Sequence, residues 1–157
     1  MSEDRIWIIV FNVLGWPLIQ IGESYLFLSL PSRWFERGGK KRVTTQCRLL
    51  KFYKTVLGLH RWKKWVPDGA DWFFPELSKG AVLRKRPRQE GRSFLRAESC
   101  RGMIAHFSMF VTGALIFTYN PLWPYIVMLF AGLILNFPCF LVLHYNYLRT
   151  DALSQEL

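Results

Sequence analysis

A carboxylate, a guanidinium and an imidazole stand close together at the head of one apolar run, as Glu98, Arg101 and His106. At 100° per residue along a helix, Arg101 falls near −60° and His106 near +80° from Glu98, so the three share one broad face. Histidine titrates near neutral pH and can take the proton of a hydroxyl nucleophile. A carboxylate can orient the ring, and a guanidinium can hold a phosphate or a developing oxyanion. That is the equipment for transferring a group to a hydroxyl. The same spacing also fits a helix-end salt bridge between Glu98 and Arg101 beside a core histidine, and spacing alone leans towards that plainer reading.

A second set of polar residues ends the last apolar run. Asn136 stands two residues before Pro138, and His144, Tyr145, Asn146 and Arg149 follow. Pro138 is expected to interrupt its helix and free a carbonyl, which Asn136 satisfies unless it faces the bundle interior. The plainer alternative is a kink followed by an interfacial anchor of tyrosines and arginine. In the first apolar run Asn12, Trp16, Gln20 and Glu23 fall within about 80° of one another, a polar stripe that should point into a bundle. Gln20 and Glu23 are candidates for substrate contact, with a buried hydrogen bond that sets helix register as the alternative for Glu23. Between these runs, tryptophans alternate with cations from His60 to Trp65, and Pro67-Asp68-Gly69 is a turn. Trp62, Lys63 and Asp68 are read as substrate-binding residues of a membrane-facing lid.

The elements that must carry these groups follow from how charge is distributed. Hydrophobic residues make up 51% of the 157 yet the formal net charge is +10, so the two kinds must be segregated along the chain. From Ile6 to Leu30 only Glu23 is charged, and from Gly102 to Tyr147 there is no Asp, Glu, Lys or Arg. Residues 31–101 hold 19 of the 21 basic and 6 of the 11 acidic residues, a local charge of +13. A spanning helix needs roughly 20 mostly apolar residues. The first run supplies one, and the second, broken by Asn120-Pro121-Leu122-Trp123-Pro124, supplies a hairpin of two. The expected fold is an all-α integral membrane protein, a single membrane domain over residues 1–157 with spans near 6–30, 103–119 and 124–143. Positive charge on residues 31–101 places that loop and the C-terminus in the cytosol and the N-terminus outside the cell membrane.

Within the loop, Leu49, Phe52, Tyr53, Val56 and Leu57 recur at helical spacing with Arg48, Lys51 and Lys54 on other faces, which predicts an amphipathic helix on the cytosolic leaflet. Lipid headgroups account for both the tryptophans and the cations, so nucleic acid is not an expected partner. The opening Met-Ser-Glu-Asp-Arg is not the basic start of a signal peptide, and the first span is expected to be retained. Cys47, Cys100 and Cys139 are odd in number and lack metal-like spacing, so neither disulfides nor a metal site is expected.

In collinear order these motifs resemble the glycosyl-diaponeurosporenoate acyltransferase family, small membrane enzymes of staphyloxanthin biosynthesis. Pro31-Ser32-Arg33-Trp34-Phe35 is similar to the family's proline, basic and aromatic segment after the first span. Arg61-Trp62-Lys63 with Asp68-Gly69 is similar to its basic-Trp-Lys and Asp-Gly loop. Glu98, Arg101 and His106 match its Glu-x-x-Arg-x-x-x-x-His segment, and Asn136, Pro138, Tyr145, Asn146 and Arg149 match its Asn-x-Pro and Tyr-Asn-x-x-Arg ending. The sequence departs from the pattern at His144 and Tyr147, where family members tend to carry arginine, and at Glu23 and the basic stretch 80–96. The resemblance implies an enzyme that esterifies a sugar hydroxyl of a glycosylated carotenoid, or a similar glycolipid, with a fatty acyl chain. The bilayer would hold the acceptor, and a fatty acyl thioester would arrive from the cytosol, its phosphates drawn by the basic loop, with no bound cofactor. Two other classes remain open on residues alone: a non-enzymatic accessory subunit that docks a partner or anionic lipid, and another small lipid-modifying enzyme such as a methyltransferase.

Overall fold

The computed structural model describes residues 3–35, 43–66 and 88–155. All regular structure among them is helical: α1 (Glu3–Ser29), α2 (Val43–Thr55), α3 (Leu59–Trp62), α4 (Arg88–Ile116) and α5 (Leu122–Gln155), with 3-10 turns at Ser32–Trp34, Lys63–Trp65 and Phe117–Tyr119. Three stretches are long and apolar enough to cross a membrane, Ile6–Ser29, Glu90–Tyr119 and Leu122–Ala152, in agreement with the three-helix membrane class read from the sequence. Proline punctuates them. Pro31 disfavours helical geometry at the residue before it, and α1 stops at Ser29. Pro121 separates α4 from α5, and Pro124 falls in the first turn of α5, where its missing N–H costs nothing.

The structure extends the sequence reading at the helix ends and corrects it at Pro138. Helices α4 and α5 outrun the apolar runs, since α4 already begins at Arg88 and α5 continues to Gln155. At 1.5 Å per residue they reach roughly 44 and 51 Å, well beyond a hydrocarbon core of about 30 Å. The extensions are rich in Arg, Gln, Glu, Leu and Ala, strong helix formers that charge does not penalise outside lipid. Pro138, expected to interrupt the last helix, lies inside a continuous α5. Proline removes one backbone bond, whereas breaking the helix in hydrocarbon would orphan several more. Asn136 accordingly takes the other role foreseen for it and faces the interior, only 3% exposed.

The chain divides into two compact units, one of Met1–Leu30 with Gly102–Phe140 and the other of Pro31–Arg101 with Leu141–Leu157. In the first unit the usual pattern is inverted: Val13, Leu18, Phe107, Phe130 and Ile134 are exposed, as they can be only against lipid. Its core is Trp16, Ile19, Ala105, Met109 and Phe117, with Phe27, Tyr125, Met128 and Ala131 packed on it. A β-carbon added at Gly113 or at Gly132 would land inside the Trp16 indole, and one at Gly15 would come 2.7 Å from Phe117 Cζ. Apolar side chains gain nothing by leaving lipid for one another, so helices associate through such close, shape-matched contacts on small residues. Gly113→Ala and Gly132→Ala are each expected to cost about 1–3 kcal/mol through overpacking against a rigid ring. Gly22→Ala, with open space around the added atom, should be neutral or slightly stabilising. Thermal unfolding of the three variants in one detergent checks this, and equal midpoints would remove Trp16 as the packing centre.

In the second unit, α2 ends where Gly58 takes φ +54°, the left-handed conformation glycine tolerates, and Val56 and Leu57 N–H both reach back to Phe52 O. The turn delivers Leu59 to full burial and lets Trp62 Nε1 donate to Leu57 O at 2.9 Å. Helix α2 takes in Leu49, Phe52 and Tyr53 of the expected amphipathic segment and stops at Thr55, before Val56 and Leu57. Its buried face, however, carries Gln46 and Tyr53, while Phe52 and Val56 are exposed.

Candidate active site

In the first unit the polar stripe of α1 finds partners in the hairpin turn and on α5. Near the hairpin, Asn12 and Asn120 exchange amide hydrogen bonds of 3.1 and 2.9 Å, and Tyr119 Oη donates to Asn12 Oδ1 at 2.8 Å. Further along, Asn136 Nδ2 donates to Gly132 O at 2.9 Å, and Gln20 Nε2 donates to Asn136 Oδ1 at 2.9 Å. The same Oδ1 lies 3.0 Å from His106 Nδ1. An amide oxygen can only accept, so Nδ1 must carry the ring hydrogen and the lone pair of the neutral imidazole sits on Nε2. This is the tautomer a general base needs, fixed by a second residue as in the serine hydrolase triad. Glu23 is half-buried, with Oε2 shielded and no hydrogen bond made to it among the described residues. Gln20, not Glu23, makes the cross-helix bond that sets register.

The second unit holds the other predicted residues. Arg101, 8% exposed, lies 2.9 Å from Glu98 Oε1, a contact of charge on charge not aligned as a hydrogen bond. Its Nη2 donates to Ser32 Oγ at 2.9 Å, and its guanidinium sits 5.3 Å from the Phe35 ring centroid. The Ser32–Phe35 segment thus braces the guanidinium. Tyr53 Oη is 2.6 Å from His144 Nδ1, and burial pushes the Tyr53 phenol above its ordinary pKa. Lys63 Nζ stands 5.1 Å from the centroid of Tyr145, and burial, followed by the charge of Arg149, holds its pKa below the ordinary lysine value.

Of the remaining predicted residues, Trp62 is tied to its own turn, Asn146 is half-buried with its carbonyl taking the Thr150 hydroxyl, and Arg149 is exposed. Asp68 and the turn around it lie outside the described residues. Several residues the sequence reading did not select prove central. Asp151, 2% exposed, receives a short hydrogen bond from Gln46 and lies 3.2 Å from Arg96, which in turn contacts Tyr147. Gln46 and Tyr53 are seven residues apart, within about 20° on a helix, so two polar groups on the face that buries leucines were a readable sign of buried partners.

The family model of the glycosyl-4,4'-diaponeurosporenoate acyltransferases matches residues 31–156 of the 157. No curated protein and no solved structure matches the chain. The match takes in every segment that carried the resemblance, from Pro31 to Arg149, and leaves out only α1 among the long helices. With Glu98, Arg101 and His106 on α4 and Asn136 to Arg149 on α5, the chain belongs to the glycosyl-4,4'-diaponeurosporenoate acyltransferase family and is a membrane acyltransferase.

Proposed function

We propose that the chain moves a fatty acyl group from a thioester donor to a sugar hydroxyl of a glycosylated diaponeurosporenoate-type carotenoid, with His106 as general base. The observation that carries this is the hydrogen bond from His106 Nδ1 to Asn136 Oδ1, which leaves the lone pair on Nε2. Nε2 takes the hydroxyl proton as the sugar oxygen bonds to the thioester carbonyl carbon. The tetrahedral oxyanion then collapses, the C–S bond breaks, and the departing thiolate recovers the proton from His106. Glu98 and Arg101 hold the donor, the braced guanidinium supplying positive charge where negative charge resides or develops. Gln20 steadies Asn136, and the Glu23 carboxylate is suited to accept a bond from a sugar hydroxyl.

The full chain in lipid nanodiscs, given a long-chain acyl thioester and the glycosylated carotenoid, is expected to yield an ester heavier than the acceptor by the acyl group less one hydrogen. Absence of that product while the folded chain binds both substrates would overturn the reading. Residues 31–101 and the C-terminus face the cytosol in this scheme, because the +13 charge of that segment resists translocation. Cys47 is exposed on α2 and should react with an impermeant maleimide only after cells are opened. Labelling in intact cells reverses the topology.

A further inference from the structure

An apolar groove runs along α1 in the first unit. It encloses about 670 Å³ between Trp7, Phe11, Leu14 and Leu18 of α1 and Ile116 and Tyr119 where α4 ends, a volume typical of small-molecule sites. Leu14 and Leu18 are exposed, so the groove opens to lipid. Its walls are set before anything enters. Phe11 packs edge-on against Tyr119 at 5.0 Å between centroids, and the Tyr119 hydroxyl is tied to Asn12 Oδ1 at 2.8 Å. From Trp7 to Ile19, the last α1 residue of the lining, the rise along the helix is about 18 Å. The next residue is Gln20, whose amide reaches the Asn136 oxygen that also faces His106 Nδ1. Beyond it, Gly22 lies about 40° round the helix from Leu18, and a β-carbon there would meet nothing within 4 Å. Glu23 follows, with Oε2 shielded and making no hydrogen bond among the described residues. A carboxylate at this depth is costly unless donors reach it. The groove thus ends beside the polar cluster, on the side that Gly22 leaves open.

We propose that this groove seats the polyene chain of the acceptor, with the sugar carried past Gly22 to Glu23 and His106. The inference rests on the acyl-transfer reading for the identity of the chain. A preformed, aromatic-walled slot favours a rigid, flat chain, which gives up little freedom on binding, over a saturated phospholipid tail, which must freeze its rotors. The rise from Trp7 to Glu23, about 24 Å, fits inside a hydrocarbon core of about 30 Å. The polyene therefore lies along α1 within the bilayer, its sugar towards the Ser29 end of the helix.

The test uses the full chain in phosphatidylcholine nanodiscs with the glycosylated carotenoid as probe. A polyene held in one orientation by a chiral wall acquires circular dichroism in its own absorption band, and empty nanodiscs give the baseline. The wild-type chain is expected to show that induced band. Leu14→Trp, which fills the groove, should abolish it and raise the KM for the carotenoid at least about tenfold, leaving the KM for the thioester in place. Leu18→Trp should do the same from a position 67% exposed against 52% for Leu14, where a larger ring is readily housed. Val13→Trp, exposed on another face of α1, should change neither the band nor the KM. If both groove variants, folded by their unfolding midpoints, keep the band and the KM, the groove is not the seat of the acceptor. If they raise the KM for the thioester instead, the groove holds the donor's acyl chain; if the wild-type chain gives no band, it holds a phospholipid tail only. Either result overturns the proposal. A band lost in the groove variants of a chain that transfers no acyl group would overturn the acyl-transfer reading and leave the groove standing. Transfer to the carotenoid that both groove variants leave untouched does the reverse.

Discussion

His106→Ala is expected to lower acyl transfer at least about a hundredfold while the unfolding midpoint stays close to that of wild type. Removing a positioned general base costs about 10²- to 10⁴-fold in rate. The ring is half-buried and hydrogen-bonds Asn136 Oδ1, and one such bond contributes a net ~1 kcal/mol. The activity loss, worth nearly 3 kcal/mol or more of transition-state stabilisation, therefore exceeds anything the stability change could produce. A core histidine gives the opposite pattern, with stability lost and transfer per folded molecule preserved. Asn136 is a positioning residue in this scheme, so Asn136→Ala should reduce kcat with little change in the KM of either substrate. An unchanged kcat would show that the Nδ1 contact does not set the tautomer during turnover. If His106→Ala unfolds the chain, Glu98→Gln, nearly isosteric, becomes the probe of the donor-holding role.

The largest loss of stability should come from Asp151→Ala, about 3–5 kcal/mol. Asp151 is 2% exposed and takes both the Gln46 amide and the Arg96 guanidinium, the latter at 3.2 Å. Gln46 is itself fully buried. Truncating the carboxylate leaves an uncompensated guanidinium and an orphaned amide, the situation in which a broken buried pair costs far more than its net worth. Arg96 keeps its contacts to Tyr147 and is 22% exposed at the side chain, so the lower end of the range is expected. Replacing the pair together, Arg96→Met with Asp151→Leu, removes both charges and should recover most of the loss. Thermal or denaturant unfolding of the four proteins in a double-mutant cycle gives the coupling directly. A loss below about 1 kcal/mol for Asp151→Ala would show that the clasp is a solvated contact.

What the sequence alone determined was what lipid and charge enforce locally. An uncharged run long enough to cross a bilayer has to satisfy its backbone within itself, so three helices were legible, as was the Asn120-Pro121 break between two of them. The segregation of 19 basic residues into 31–101 and the motifs from Pro31 to Arg149 were legible too, because they are linear. Helix ends were less so. The charged extensions of α4 and α5 look like loop when read by hydropathy, and proline inside a membrane helix looks like a break when the alternative cost of orphaned backbone is left out.

Tertiary structure alone decided which polar group meets which. Periodicity puts Gln20 on a face and Asn136 in a span, but it cannot show that an oxygen of Asn136 collects Gln20 from 116 residues away and His106 from 30. The sequence offered Glu98 to orient the imidazole, and the structure adds Asn136, whose Oδ1 accepts from the ring Nδ1 at 3.0 Å. Likewise Tyr53 meets His144 across 91 residues, and Gln46 meets Asp151 across 105. The physical reason is that a face is a property of one helix, fixed by 100° per residue, while a hydrogen bond between helices depends on rotation and depth. In lipid those are set by close packing of small residues against large ones, here Gly113 and Gly132 against the indole of Trp16.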